Sequence, residues 1–373
     1  MTEISFSKKQ EKNPEILENH KFYPVKEYYE QLDKEYPHSI HSIRCVLCPN
    51  KCVILDGKSG LCKARINIKG KLYSTVYGHP CSISIDPIEK KPLYYFYPGE
   101  KILSFGTFGC NIFCKGCQNF DITRVQDVIK ETGKLEYYSA EEIIETAKSR
   151  NIKMIAYTYN EPTIFFEYML DIAKLARKNG IKNVIVSNGY INPKPLKELC
   201  KYIDAANIDI KGITEKFYRE YSKANIKPIL ESIKTLRKSG VWLELTNLVI
   251  PGLNDDPKDI KKLCEWIKDN VGVNVPLHFS RFYPYYNAST TSPTPENTLE
   301  FAKEIATKTG LKYVYIGNLG FLDDTICDKC GNVLIKRSEG MIGGKVEVIG
   351  IARKEGINKS SCSKCKSIIH GEF

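Results

Sequence analysis

No stretch of this 373-residue sequence approaches the roughly 18 uninterrupted apolar residues of a membrane span. The opening MTEISFSKKQEKNPEILENH also lacks the apolar segment of a secretory signal, so a cytoplasmic location is expected. Compositional bias is missing too: 42% hydrophobic and 27% charged residues are ordinary values that exclude disordered and collagen-like classes. Blocks of one charge sign are also absent. The net charge of +11, from 55 Lys and Arg against 44 Asp and Glu, would suit an anionic or nucleic-acid partner. The lysines are interleaved with acids, as in EEIIETAKSRNIK, which is the pattern of solvated faces, so nucleic-acid binding is not predicted. A reducing cytosol would not support a disulfide framework, which leaves the 14 cysteines for metal or chemistry.

Four stretches differ in character. Residues 1–40 are polar and rich in Tyr, Lys and Glu, expected to form a leader or a short helix lying on the rest. Residues 41–100 form an N-terminal Cys-rich module holding Cys45, Cys48, Cys52, Cys62 and Cys81 among Gly and Pro, too poor in apolar residues to fold well without a staple. Residues 101–320 alternate β-branched runs with amphipathic stretches, the pattern of repeated βα units around a parallel sheet. The strand candidates are KILSFGTFG, IKMIAYTY, IKNVIVSNG, AANIDIKG, VWLELTNLVI, VPLHFSRFYP and LKYVYIG. Helices are expected at SAEEIIETAKSR, where Ser139 and Glu142 can form a capping box, and at TIFFEYMLDIAKLARKNG, ending on Gly180. Residues 321–373 carry two CxxC pairs and the strand-like runs VLIKRS and KVEVIGIAR, a small β module. The expected fold is therefore α/β, a partial or near-complete parallel (β/α) barrel with small Cys-rich modules at both ends. Its working loops should lie at the strand C-termini.

The segment GTFGCNIFCKGCQN sets Cys110, Cys114 and Cys117 at spacing C-x3-C-x2-C directly after the first strand of the parallel repeat. Thiolates are the preferred ligands of iron–sulfur clusters, and a four-iron cube normally takes four of them. Three leave one iron open to chelate a small molecule through amine and carboxylate. A chance triplet or part of a zinc knuckle is the competing reading, although zinc sites usually want four ligands in two pairs.

The triplet resembles the signature of the radical S-adenosylmethionine (SAM) superfamily, whose barrel type the fold expectation matches. Its members cleave SAM reductively to a 5′-deoxyadenosyl radical on an open-site [4Fe–4S] cluster. YTYNEPT resembles the family's Gly-Gly-Glu-Pro motif, so Glu161, followed by Pro162, carries over as the group receiving the SAM ammonium. A helix-terminal acid is the alternative role for Glu161, and the two are compatible. In SNGY, Ser187 and Asn188 resemble the polar pair near the SAM ribose or carboxylate; in DIKG, Asp209 and Lys211 match the activating-enzyme branch. NLVIPGLND is similar to the apolar strand and loop against which adenine lies, with Val249 and Ile250 as candidates. Two departures stand out. Gly116 occupies the place before the third cysteine where an aromatic is usual, and Tyr159 and Asn160 replace the glycines before Glu161.

Outside the barrel, CVLCPNKCVILDGKSGLCKAR, DPIEKKPLYYFYPG, CQNFDIT, HFSRFYP and the terminal CxxC pairs resemble the AmmeMemoRadiSam system radical SAM enzymes, relatives of pyruvate formate-lyase activating enzymes. That resemblance implies a functional link to AMMECR-type and Memo-like proteins, an electron donor such as a ferredoxin or flavodoxin, and a hydrogen-abstraction reaction on an unidentified substrate. Kinship to activases raises a glycyl-radical-enzyme activase as an alternative. His278, Arg281 and Tyr283, in HFSRFYP, are candidates for substrate contact at the barrel mouth, with a packed Tyr283 and a core His278 as the competing assignment.

Cys327, Cys330, Cys362 and Cys365 form two knuckle-like pairs separated by an expected β-hairpin, a set that suits a zinc ribbon, with a cluster as the alternative. Cys45, Cys48, Cys52 and Cys62 are less symmetrical, with Pro49 after the second ligand, and suit an auxiliary [4Fe–4S] cluster slightly better than zinc. Cys200 and Cys264, in KELCKYI and KKLCEWI, read as helix packing residues. A zinc-finger adaptor binding RNA or protein is a reading of another class, against which the motifs at successive strand ends count. A pure electron carrier would need neither an open cluster nor Glu161.

Overall fold

The computed structural model describes residues 16–17, 20–32, 41–320, 323–337, 344–353 and 360–373. Its centre is an eight-stranded sheet: β1 (Ser82–Pro87), β2 (Lys101–Gly106), β3 (Met154–Tyr157), β4 (Lys182–Ser187), β5 (Ala205–Asp209), β6 (Trp242–Val249), β7 (Leu277–Arg281) and β8 (Val314–Gly317). The strands lie side by side in chain order. From β2 to β8 each pairs parallel with the next, whereas β1 runs antiparallel to β2. No ladder joins β1 to β8 among the described residues, so this is an open, partial barrel. All seven strand candidates are strands here.

The helices that return the chain between parallel strands include α1 (Ala140–Ser149), α2 (Phe166–Lys178), α3 (Pro193–Leu199), α4 (Ile226–Lys238), α5 (Pro257–Asn270) and α6 (Glu296–Thr309). The capping box of α1 forms as expected: the Glu142 N–H donates to Ser139 Oγ at 3.2 Å and the Ser139 N–H donates to Glu142 Oε2 at 2.7 Å. After α2 the chain turns at Gly180, whose φ of 69° is the left-handed value that favours glycine. Each helix buries one apolar stripe, for example Ile229, Ile233 and Leu236 of α4, against the outer face of the sheet.

Three differences from the sequence expectations have physical causes. First, β1 lies within the Cys-rich stretch 41–100, outside the seven strand candidates. Its pairing with β2 is a long-range property, and Ile83 and Ile85 are the modest alternation that signals it. Second, where residues 1–40 are described they form strands and not a helix: Tyr23–Pro24 pairs with Lys71–Ser74, and Tyr29–Gln31 pairs with Ile43–Cys45. Third, KVEVIGIAR is split at Gly350 between two small sheets: Val346–Val348 pairs with Val333–Arg337, and Ile351–Arg353 pairs with Ser360–Cys362. A Cβ on Gly350 would stand 2.0 Å from the Val333 carbonyl oxygen, so only glycine passes there. The C-terminal module is also not self-contained, because Leu334, Ile335 and Ile369 share one buried cluster with Tyr94, Tyr95, Tyr313 and Tyr315.

Candidate functional site

The C-terminal ends of β2 to β8 surround a cavity of about 700 Å³. Parallel strands deliver their following loops to one end, which is why residues far apart in sequence meet there. Cys110, Cys114 and Cys117 line this cavity from the loop after β2. The loop is held from several sides. Asn160 Nδ2 donates to the Gly109 carbonyl at 3.0 Å and to Thr107 Oγ1 at 3.2 Å, while its Oδ1 accepts the Thr107 N–H at 3.2 Å. Asn160, one of the two glycine replacements, therefore fastens the thiol loop. Tyr159, the other, sits at φ 68°, a strained value for a non-glycine residue at about 1–3 kcal/mol, and its hydroxyl donates to Asp86 Oδ2 at 2.7 Å.

The missing aromatic before Cys117 also has a structural explanation. A Cβ on Gly116 would lie 2.7 Å from both Tyr221 Oη and Phe282 Cε2. Two aromatics from other elements fill the space, and Tyr221 lines the cavity while its hydroxyl accepts the Gly116 N–H at 3.1 Å.

Glu161, at the end of β3, is buried and lines the cavity. Its Oε1 accepts from Thr163 N–H (2.9 Å), Thr163 Oγ1 (2.6 Å) and Ser187 Oγ (2.8 Å), and its Oε2 accepts the Asn188 N–H at 2.8 Å. It caps the short helical turn Pro162–Phe165 and ties β3 to the end of β4. Burial raises its pKa, opposed by these hydrogen bonds. Asn188 reaches the thiol loop, its Nδ2 lying 2.9 Å from Asn111 Oδ1 and 3.9 Å from Cys110 Sγ. Asp209 and Lys211 form a 2.8 Å ion pair on the cavity wall. Burial works against the Lys211 charge, but Asp209 and then Cys114 raise its pKa well above the ordinary value. Ile250 lines the cavity beside Leu248; Val249 is fully buried behind them, its carbonyl accepting from Thr294 Oγ1 at 2.6 Å.

The HFSRFYP residues separate. His278 lines the cavity, but its Nε2 lies 2.8 Å from Glu244 Oε2 and its ring stacks on Tyr315. Glu244 is wholly buried and also accepts from the Tyr94 and Tyr95 N–H groups and from Trp242 Nε1 at 2.9–3.0 Å. Arg281 and Tyr283 stand outside the lining, where the guanidinium lies 5.2 Å from the Tyr283 ring centroid.

Sequence reasoning missed two groups that stand behind or beside this cavity. One is Glu244, the buried partner of His278. The other is the Asp86–Lys91 pair, 2.7 Å apart, with Lys91 on the cavity wall. Burial lowers the Lys91 pKa to about 8, against the pull of Asp86. Burial would raise Asp86, but Lys91, Lys90 and Tyr159 together hold its carboxyl below the ordinary range. DPIEKK contains these residues in plain view; only the pairing of β1 with β2 brings Lys91 to the cavity that the thiols line.

The outer cysteines make two further sets. In the C-terminal module Cys327, Cys330, Cys362 and Cys365 bring their sulfurs within 4.8 Å of one another, with Cys327–Cys365 at 3.7 Å and Cys330–Cys362 at 3.6 Å. The four sulfurs are thus close enough together to ligate a single metal ion. Cys45, Cys48, Cys52 and Cys62 all line a second cavity, beside Asn111 and Thr163. Cys264 is fully buried in α5, and Cys200 packs at the end of α3, as packing residues do. Cys81 pairs its N–H with the Gly106 carbonyl.

Comparison with known proteins gives a consistent picture. Residues 105–267 match the Radical SAM superfamily model. An uncharacterized protein of Methanocaldococcus jannaschii is 44% identical over 314 residues, covering 83% of this chain and 90% of that protein. The 4-hydroxyphenylacetate decarboxylase activating enzyme of Clostridium scatologenes is 26% identical over 168 residues, covering 42% of this chain and 53% of its own length. The pyruvate formate-lyase-activating enzyme of Clostridium pasteurianum is 25% identical over 180 residues, covering 46% of this chain and 71% of that enzyme. Among solved structures, a domain of the pyruvate-formate lyase-activating enzyme from Bacteroides vulgatus aligns with a TM-score of 0.39 and 20% identity, over 44% of this chain and 98% of that one. With three thiols on the loop after the first parallel strand and this match around them, the chain belongs to the radical SAM superfamily, as an enzyme related to the pyruvate formate-lyase activating enzymes.

Proposed function

We propose that Cys110, Cys114 and Cys117 hold an open-site [4Fe–4S] cluster, and that the protein uses it to cleave SAM for hydrogen abstraction from a substrate bound in the same cavity. The observation that carries this reading is the convergence of the three thiols with Glu161, Ser187, Asn188, Asp209 and Lys211 on one cavity. The donor set fits the group: three soft thiols and no fourth leave one iron uncommitted. When bound, the cluster supplies an electron to the SAM sulfonium, chemistry that side chains lack.

The chain's own residues bind and orient. Glu161 Oε2 accepts a single protein hydrogen bond, which leaves acceptor capacity for an ammonium. Lys211 places a positive charge near Cys114 and, beside Asp209, would offer SAM a cationic contact. Ile250 and Leu248 offer apolar wall for adenine, with Val249 setting their position from behind. His278 and Lys91 stand on the same cavity as candidates for substrate contact. Arg281 and Tyr283 would act at its approach.

A glycyl-radical-enzyme activase is the second reading, favoured by the likeness to activating enzymes over less than half of the chain. The cysteine modules at both ends lie outside the segment 105–267. The resemblance to AmmeMemoRadiSam system enzymes implies AMMECR-type and Memo-like partners, and the radical chemistry requires a donor such as a ferredoxin or flavodoxin. At the C-terminal tetrad the 3.6–3.7 Å sulfur separations support zinc. Anaerobic protein incubated with SAM and a low-potential reductant should release 5′-deoxyadenosine and methionine. If brown, iron-replete protein leaves SAM intact, the reading fails.

A further inference from the structure

The second cavity, among Cys45, Cys48, Cys52 and Cys62, carries two independent signals. The first is spacing. Among the described residues, only the C-terminal cysteines bring three or more ligand atoms within 4.8 Å of one another. The N-terminal thiols therefore face one cavity while standing too far apart, as a set, to close on a single ion. A tetrahedral zinc would need every sulfur pair near about 3.8 Å. A four-iron cube gives each thiolate its own iron and holds the sulfurs well beyond that edge.

The second signal is Arg65. It lines the same cavity and is 2% exposed. Its Nη2 donates to Glu167 Oε2 at 2.6 Å, but its Nε and Nη1 are buried without any partner. A buried guanidinium with two unpartnered nitrogens is expensive unless an acceptor completes it. The side chain lies close enough to Cys45 and Cys62 to interact electrostatically with both. Unpartnered donors and positive charge on the wall of a four-thiol cavity suit an anionic, sulfur-bearing occupant, which a thiolate-ligated cluster is.

The cavity also abuts the barrel site. Asn50 Nδ2 donates to the Asn111 carbonyl at 2.6 Å, and a Cβ on Gly109 would stand 2.4 Å from the Cys62 carbonyl oxygen. Thr163, which bonds Glu161, lines the four-thiol cavity from the other side. Residues of the thiol loop and of the Glu161 turn therefore touch both sites.

We infer that Cys45, Cys48, Cys52 and Cys62 bind a fully ligated [4Fe–4S] cluster, with Arg65 as its hydrogen-bonding counter-charge, and that this cluster relays electrons to the three-thiol site. The relay clause rests on the open-site reading above; the cluster itself does not. In the relay a low-potential one-electron donor reduces the outer cluster, and the same electron passes to the inner one; no bond is made or broken and no proton moves.

The test uses the full chain, purified and reduced anaerobically, read by electron paramagnetic resonance with and without SAM. Two cluster signals are expected, one altered by SAM and one indifferent to it. A single, SAM-sensitive signal overturns the inference. Two signals that both ignore SAM would uphold the outer cluster and sink the open-site reading, so the two failures are distinguishable. The variant with Cys110, Cys114 and Cys117 all replaced by Ala should keep about four irons per chain and the indifferent signal. Zinc in place of that iron overturns it. Arg65→Gln should leave the iron content alone and move the midpoint potential of the indifferent cluster downward, because the reduced cluster carries more negative charge. Arg65→Lys should move it less. An unmoved potential in both variants removes Arg65 from the assignment.

Discussion

At the C-terminal module four thiols close to within 4.8 Å of one another on two knuckles, while at the end of β2 three thiols line one wall of a large cavity. The ligand atom is the same in both places, and so the ligand atom decides little. What differs is the number of sulfurs, their separation and their neighbours. The C-terminal sulfurs are flanked by Asn332, Ser363 and Ser367, whose polar side chains lie against the knuckles. The barrel thiols share their cavity with a buried carboxylate after β3, an ion pair at the end of β5 and the aromatics Tyr94, Tyr159 and Tyr221. A closed tetrahedron is built to hold a fold together, and an incomplete set beside polar groups is built to bind something else.

The comparison breaks most visibly under crossed substitutions. Cys114→Ala should abolish 5′-deoxyadenosine formation altogether and remove one cluster's iron, leaving the C-terminal metal in place. Cys362→Ala should do the reverse: loss of the C-terminal metal with SAM cleavage retained. Metal analysis and product assay on both proteins decide it, and any 5′-deoxyadenosine from the first variant ends the assignment. Small metal modules usually lose their fold with the metal, and residues after about 321 should become protease-sensitive in the second variant. Their buried contacts with Tyr94, Tyr95, Tyr313 and Tyr315 should keep the cleavage partial, because Leu334, Ile335 and Ile369 are also anchored there by apolar packing.

Glu161 sharpens the contrast at the next scale. Four donors converge on its carboxylate, so Glu161→Gln turns an amide N–H₂ toward at least one N–H or O–H. The loss of a charge-assisted bond is worth about 1–3 kcal/mol. SAM affinity should fall about five- to a hundredfold, with iron content and visible spectrum unchanged. Anaerobic SAM titration measures this. A lowered Tm with an unmoved dissociation constant would reduce Glu161 to the cap of Pro162–Phe165.

The order of strands, the α1 capping box and the position of the three thiols were all legible in the sequence because each depends on local patterning. Periodicity marks β2 to β8, and a cysteine spacing on a βα loop has one place to go. What escaped was pairwise and distant. Glu244 lies within strand-like VWLELTNLVI, where nothing announces that a carboxylate would be wholly buried beneath His278. Arg65 sits in an unremarkable KARIN, and its missing partners appear only when the N-terminal module packs on the barrel. Gly116 looked like a deviation until Tyr221 and Phe282 were found in its space.

The smallest effect concerns Lys91, which places a second buried charge on the cavity opposite in sign to the thiolates. Burial holds its pKa at about 8 in the folded chain, against 10.5 for an ordinary lysine. The folded value is the lower one, so between about pH 8 and 10.5 the unfolded chain binds more protons and stability gains as pH rises. That contribution is fully present above the unfolded pKa and is lost as pH falls through the folded one. Tyrosines with raised pKa values, such as Tyr94 and Tyr315, push the other way in the same window. The difference between the parent and Lys91→Met isolates the lysine. Anaerobic urea unfolding of both should show the parent gaining about 1–3 kcal/mol on the variant from pH 8 to 10.5. A difference that stays flat would mean that Asp86 keeps Lys91 protonated throughout, and that the cavity wall carries a fixed ion pair in place of a titrating amine.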